Sequence, residues 1–169
     1  MTADLFDRLL QGQLDLAAVL LPEGSVAPAP LLTRVITTDR MLIVKRREGR
    51  RRSPSWQEVA AGPWILNPPG CLLRASLLGM MHERGTAANV SAEIHNMHLQ
   101  LAFVAKGYGF GLLPRRFVER HGRRSQLQVI EPPGFVLRMT IAVARAGPLG
   151  SLERAAAAFE RDIETAFCR

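Results

Sequence analysis

Cysteine is scarce in this chain. Cys71 and Cys168 are far apart, and no disulfide framework can staple the fold; such usage fits a reducing cytosol. Long apolar runs are also missing: none approaches the roughly 18 residues that a membrane-spanning helix needs. The N-terminal stretch MTADLFDRLLQGQ carries Asp4 and Asp7 where a secretory signal would carry basic residues, so it does not read as a leader of that kind. Lysine is almost absent, with only Lys45 and Lys106. There is no internal repeat, no low-complexity stretch beyond Ala155–Ala158, and no paired-carboxylate signature of the kind hydrolases use.

What is present is an ordinary globular composition. The 169 residues are 47% hydrophobic and 22% charged, which places the chain among single domains or pairs of small lobes. Such a length can bury about two-thirds of its unfolded surface. The formal charge of +7 rests almost wholly on arginine, and a basic balance invites a nucleic-acid reading. The largest cluster is Lys45-Arg46-Arg47 with Arg50-Arg51-Arg52; smaller pairs are Arg115-Arg116 and Arg123-Arg124. No aromatic residue lies within 45–52 to stack on a base. The cluster reads as a solvated hairpin or loop, with a phosphate-binding patch as the alternative.

Hydrophobic patterning gives alternating strands and helices. Ala3–Gln11 reads as a short helix closed by Gly12. Leu14–Leu21 is an almost unbroken apolar run, which implies a strand buried on both faces in a parallel sheet. A proline-rich loop over 22–30 precedes two β-rich runs, Leu31–Thr38 and Met41–Val44. Ser55 and Glu58 have the spacing of a capping box. Trp64–Leu66 is a short strand that ends at the turn Asn67-Pro68-Pro69-Gly70. A helix over 72–83 places Leu73, Leu77, Met80 and Met81 on one face. Val90–Ile94 is a strand, and a helix over 96–106 places Met97, Leu101, Val104 and Ala105 on one face. A strand follows Gly107-Tyr108-Gly109-Phe110-Gly111, and Leu127–Ile130 and Leu137–Ala144 are further strands. Ser151 is the expected N-cap of a last helix, with Leu152, Ala156, Phe159, Ile163 and Phe167 turned inward. The pattern is that of an α/β protein with a parallel or mixed sheet.

Chemistry-bearing motifs are few. Gly107, Gly109 and Gly111 follow a helix and lead into a strand, the reverse of a dinucleotide loop, so they read as a helix cap and a tight turn. His95 and His98 lack the partners that zinc would need. Cys71 stands at a helix N-terminus, where a thiol is acidified, but no motif supplies an oriented base. The segment Asn67–Arg74 is more informative: a strand ends, a Pro-Gly turn follows, and a helix begins with free N–H groups. That geometry suits an anion, carboxylates above all, although an ordinary strand-to-helix turn has the same form.

Four segments in order resemble one family. LQGQLDLAAVL (10–20), PWILNPPGCLLRASLL (63–78), EIHNMHLQLAFVAKGYGFGLLP (93–114) and the closing strand and helix (137–167) resemble the effector-binding domain of LysR-type transcriptional regulators. The resemblance covers essentially the whole chain. It implies a type 2 periplasmic-binding-protein fold, α/β with two lobes of mixed sheets and a small-molecule cleft. Residues 1–30 and 138–169 would form the first lobe, 31–38 and 125–137 the crossovers, and 39–124 the second lobe. The family's helix-turn-helix and the first strand–helix–strand of the first lobe have no counterpart here, so the chain is expected to be an N-terminally truncated form with an incomplete first lobe.

The resemblance also implies the site. Gly70, Cys71 and Leu72 at one helix N-terminus, and His95, Asn96 and Met97 at another, would line the second lobe's side of the cleft, with Met97 the foremost contact. The effector would be a small organic anion, and the helix over 72–83 resembles a dimerisation helix. Function is then cytoplasmic effector sensing through lobe closure, with no catalysis, cofactor, metal or membrane contact. The full-length regulator would be a homodimer or tetramer that meets DNA only through a helix-turn-helix. The alternative is a stand-alone solute-binding protein, or an enzyme on the same scaffold with Cys71 as its one reactive group.

Overall fold

The computed structural model describes residues 2–49 and 54–168. Arg50, Arg51, Arg52 and Ser53 lie outside the described residues, and with them the second half of the basic cluster. The chain divides into two compact units, one formed by residues 1–39 and 138–169 and the other by 40–137. Its helices and mixed strand pairings match the expected α/β class.

In the first unit, α1 (Thr2–Leu10) buries Phe6 and Leu9. It leads into β1 (Leu16–Pro22), which pairs antiparallel with β7 (Arg138–Arg145), Val19 opposite Ala142. The first half of β2 (Leu32–Arg46) lies next to β7. The expectation that Leu14–Leu21 is buried on both faces in a parallel sheet is therefore wrong. Ala17, Val19 and Leu21 are buried while Ala18 and Leu20 are exposed. An apolar run reports the hydrophobicity of both faces but not whether the second face finds a cover.

The closing helix α6 (Glu153–Cys168) differs as well. Ser151 sits inside a 3-10 turn over Gly150–Leu152 instead of capping the helix. Ala156 is buried, yet Leu152, Phe159 and Phe167 are each about 40% exposed. The helix is held to the sheet partly by charge: Arg34 on β2 pairs with Glu160 and Glu164, and Arg145 at the end of β7 pairs with Glu153.

The second unit is built on a mixed sheet. The two β-rich runs prove to be one strand, because β2 continues without a break through Asp39 and Arg40. Lys45 and Arg46 thus belong to a strand and not to a loop. In this unit β2 pairs antiparallel with β5 (Phe110–Pro114) and with β6 (Leu127–Ile130). β3 (Pro63–Leu66) runs parallel to both β5 and β4 (Asn89–Glu93). Before β3, α2 (Trp56–Ala61) opens on a complete capping box: Ser55 accepts from the Glu58 N–H, and Glu58 accepts from the Ser55 N–H. The sequence pattern missed α5 (Arg115–Arg120), whose six residues are too short for periodicity to register.

Two helices follow the parallel strands. α3 (Leu72–His82) connects β3 to β4, and α4 (Met97–Lys106) connects β4 to β5. The second crossover runs back past β3, so right-handed connections put α3 and α4 on opposite faces of the sheet. One face carries Leu42, Val44, Ile65, Leu101, Val104, Ala105, Leu113, Val118 and Leu127 in a single apolar cluster. Trp64 and Leu66 alternate with Ile65 and are equally buried. Two expected helix faces need adjusting. Met80 is half-buried, and Met97 is 38% exposed while Gln100, one turn on, is fully buried.

The glycine run does what its order in the chain implies. Gly107 takes a left-handed conformation, φ +92°, and caps α4. A Cβ on Gly109 would stand 2.3 Å from the Pro63 carbonyl oxygen, so the chain can pass β3 here only without a side chain.

Candidate functional site

The C-terminal ends of β3 and β4 lie side by side, with Leu66 opposite Glu93, and the Ile94 N–H donates to the Leu66 carbonyl at 2.8 Å. The loops that leave these ends begin α3 and α4. All six predicted site residues fall in those two loops or on the first residue of a helix. Gly70 is exposed with φ +89°. Cys71 is the N-cap of α3 and Leu72 its first residue, both half-buried. His95 is exposed, Asn96 is the N-cap of α4, and Met97 is its first residue.

The two caps differ chemically. Asn96 closes α4, its side chain accepting from the Leu99 N–H at 3.0 Å. Cys71 makes no side-chain capping bond. The first-turn N–H groups of α3 therefore have no side-chain acceptor at the N-cap, and they carry the positive end of an 11-residue helix dipole.

Asn67 and Arg74, the ends of the segment the sequence singled out as an anion-binding turn, hold the loops together. The Asn67 amide donates to the carbonyls of Ile94 and His95 at 3.5 and 3.4 Å. Arg74, on the first turn of α3, donates to the Asn67 carbonyl at 2.7 Å and to Glu93 at 2.6 Å. Its side chain is largely buried. The end of β3, the end of β4 and the start of α3 are thus tied through one guanidinium, which also neutralises Glu93 close to the candidate face. The available signal was the spacing of Asn67 and Arg74 across a strand-to-helix turn. Sequence cannot show that Glu93, nineteen residues further on, arrives beside them.

Among the described residues, no group of three or more His, Cys, Asp or Glu stands close enough to hold a metal ion. Among them, too, no helix is long and apolar enough to cross a membrane. His98 stacks near His121, ring centroids 5.4 Å apart, with Phe117 against both. Burial, then the charges of His98 and Arg123, lowers the His121 pKa below the ordinary histidine value.

The family model of the LysR substrate binding domain matches residues 1–161. The chain belongs to that family. A comparison with the curated proteins finds no match. Solved structures show the same fold. The regulatory domain of CcmR from Synechocystis PCC6803, in complex with 2-PG, is 16% identical with a TM-score of 0.77, covering 98% of this chain and 81% of that one. The OxyR2 regulatory domain from Vibrio vulnificus is 21% identical with a TM-score of 0.71, covering 97% and 77%. A LysR family regulator from Pseudomonas aeruginosa is 20% identical with a TM-score of 0.69. It covers 99% of this chain, which spans 59% of that protein's length. The fold is thus that of a LysR regulatory domain, with the periplasmic-binding-protein architecture the resemblance implied. This chain is an effector-binding module without a DNA-binding domain among its 169 residues.

Proposed function

We propose that the LysR domain binds a small organic anion on the edge formed by Gly70, Cys71, Leu72, His95, Asn96 and Met97. The observation that carries this reading is the α3 N-terminus: an uncapped helix start beside the carboxyl end of a parallel strand, where ligands of open α/β sheets collect. Met97 supplies an exposed apolar surface for the carbon skeleton, and Asn96 and His95 supply polar edges. That the CcmR regulatory domain forms a complex with 2-PG supports a small-molecule ligand here. The effector would work by drawing the lobes together and so biasing the arrangement of subunits in the full-length regulator, a homodimer or tetramer. DNA contact would belong to a helix-turn-helix outside these residues, and the regulator would act in the cytoplasm without doing chemistry of its own.

Calorimetric titration with a panel of small carboxylates and phosphate esters tests the reading. The expected result is saturable binding by at least one of them, weakened about tenfold or more by Met97→Glu, which puts a negative charge on the anion's edge. Binding that is indifferent to substitution at both Cys71 and Met97 would falsify the assignment.

A further inference from the structure

A second positively charged site lies on the second unit, on elements that the candidate effector face does not use. Where the ladder between β2 and β6 opens, Arg46 is opposite Leu127, and the Arg47 N–H donates to the Gln126 carbonyl at 2.8 Å. Arg47, Glu48, Gly49, Arg124, Leu127, Gln128 and Val129 line a cavity of about 270 Å³ there.

Two guanidinium groups converge in this cavity on one acceptor. Arg47 donates to the Leu127 carbonyl through Nε at 3.3 Å and Nη2 at 3.2 Å, and Arg124 donates to the same oxygen through Nη1 at 3.4 Å. Among the described residues neither arginine forms a salt bridge. The cavity's one carboxylate, Glu48, is engaged by Lys45 at 2.9 Å. Two full positive charges thus share a neutral carbonyl, which leaves both unneutralised and most of their N–H donors unused.

The cavity beneath α6 in the first unit shows the contrast. It holds about 200 Å³ and also carries two arginines, Arg34 and Arg145, but Glu160 and Glu153 neutralise them. Of these two cavities, the one at Arg47 and Arg124 keeps its positive charge unneutralised.

We infer that the Arg47–Arg124 cavity is a second anion site, built for a phosphate group. A dianion matches the two uncompensated charges, and a tetrahedral oxyanion presents several oxygens to two guanidinium forks at once. A single carboxylate would neutralise half the charge. The size suits free phosphate or a small phosphomonoester.

The test is titration of the isotopically labelled 169-residue chain with inorganic phosphate at constant ionic strength, followed through backbone amide shifts. Glycerol phosphate and acetate are run in parallel, and a DNA duplex is tested as competitor. Saturable shifts at residues 47–49 and 124–129 are expected, with acetate at least about tenfold weaker. The double variant Arg47→Gln/Arg124→Gln should raise the half-saturating phosphate concentration about tenfold or more with the remaining spectrum unchanged. Tighter binding of glycerol phosphate than of phosphate makes the ligand a phosphomonoester; the reverse makes it phosphate itself. The proposal is overturned by shifts that track ionic strength alone, by shifts confined to 70–72 and 95–97, or by displacement of phosphate by duplex DNA with the steep salt dependence of backbone binding. Because the effector assignment is read at Cys71 and Met97, the two can fail separately.

Discussion

Gly109 and His121 show how single residues carry the second unit. Alanine at 109 would meet the Pro63 carbonyl oxygen at 2.3 Å while holding φ near +157°, so β5 must move away from β3. Gly109→Ala is expected to cost about 1–3 kcal/mol, read as a lower urea midpoint; an unchanged midpoint would show that the two strands part freely. His121 accepts the Arg123 N–H through Nδ1 at 3.1 Å, which only the neutral ring can do. Its pKa is lowered by burial first and then by the charges of His98 and Arg123. The folded chain therefore binds this proton less readily than the unfolded one. The stabilisation is fully present above the ordinary value of 6.5 and is lost as pH falls from there toward the depressed folded value. His98→Ala should move the His121 titration midpoint upward in side-chain NMR. A midpoint that stays put would leave burial and the Arg123 charge as the causes.

At the scale of elements, the candidate effector edge depends on two loops keeping one geometry, and Arg74 is the bond between them. Arg74→Met keeps the apolar stem but removes the donors to Asn67 and Glu93. The expected cost is about 1–3 kcal/mol. Amide signals of Asn67, Gly70, Cys71 and 94–97 should shift or broaden while those of Val44 and Leu113, in the core on the α4 face, hold still. Uniform changes across the spectrum would mean that Arg74 supports the unit as a whole and not this edge. The sequence reads well at this scale where a local signal exists. Ser55 and Glu58 were legible as a reciprocal cap because capping needs only three residues of spacing. Gly107 was legible because a helix must end somewhere. Ser151 misled because a good capping residue is no stronger a stop than the 3-10 turn that absorbed it. Met97 was placed on the buried face because periodicity counts apolar residues and takes no account of Gln100, whose amide bonds the Ile65 carbonyl at 2.6 Å inside the core.

For the whole molecule, the division at Asp39 and Leu137 has a physical consequence. Residues 40–137 form a continuous segment with its own sheet, the cluster around Ile65 and Leu113, and Trp64 fully buried with its indole bonded to the Val59 carbonyl. That segment, expressed alone, is expected to unfold in one cooperative urea transition; a gradual loss of ellipticity would show that it needs the rest of the chain. The first unit is made of two separated stretches and leaves Leu20, Val35, Phe159 and Phe167 exposed, so its amides are expected to exchange faster with solvent.

Most element types, their order and the family follow from local patterning (apolar spacing, caps, turn residues and four segments in sequence), although α5 went unread and β2 was read as two runs. The loops that hold Gly70 through Leu72 and His95 through Met97 were legible in the same way, because strand-to-helix turns are written in a few adjacent residues. Strand direction and burial were not. Whether β1 pairs antiparallel with β7, whether Leu20 finds a cover, and whether Arg34 meets Glu160 depend on partners more than a hundred residues away. The convergence of Arg47 and Arg124 on the Leu127 carbonyl is of the same kind: charge is written in the sequence, but the spending of it on a neutral oxygen is decided only where strands from distant parts of the chain come into register.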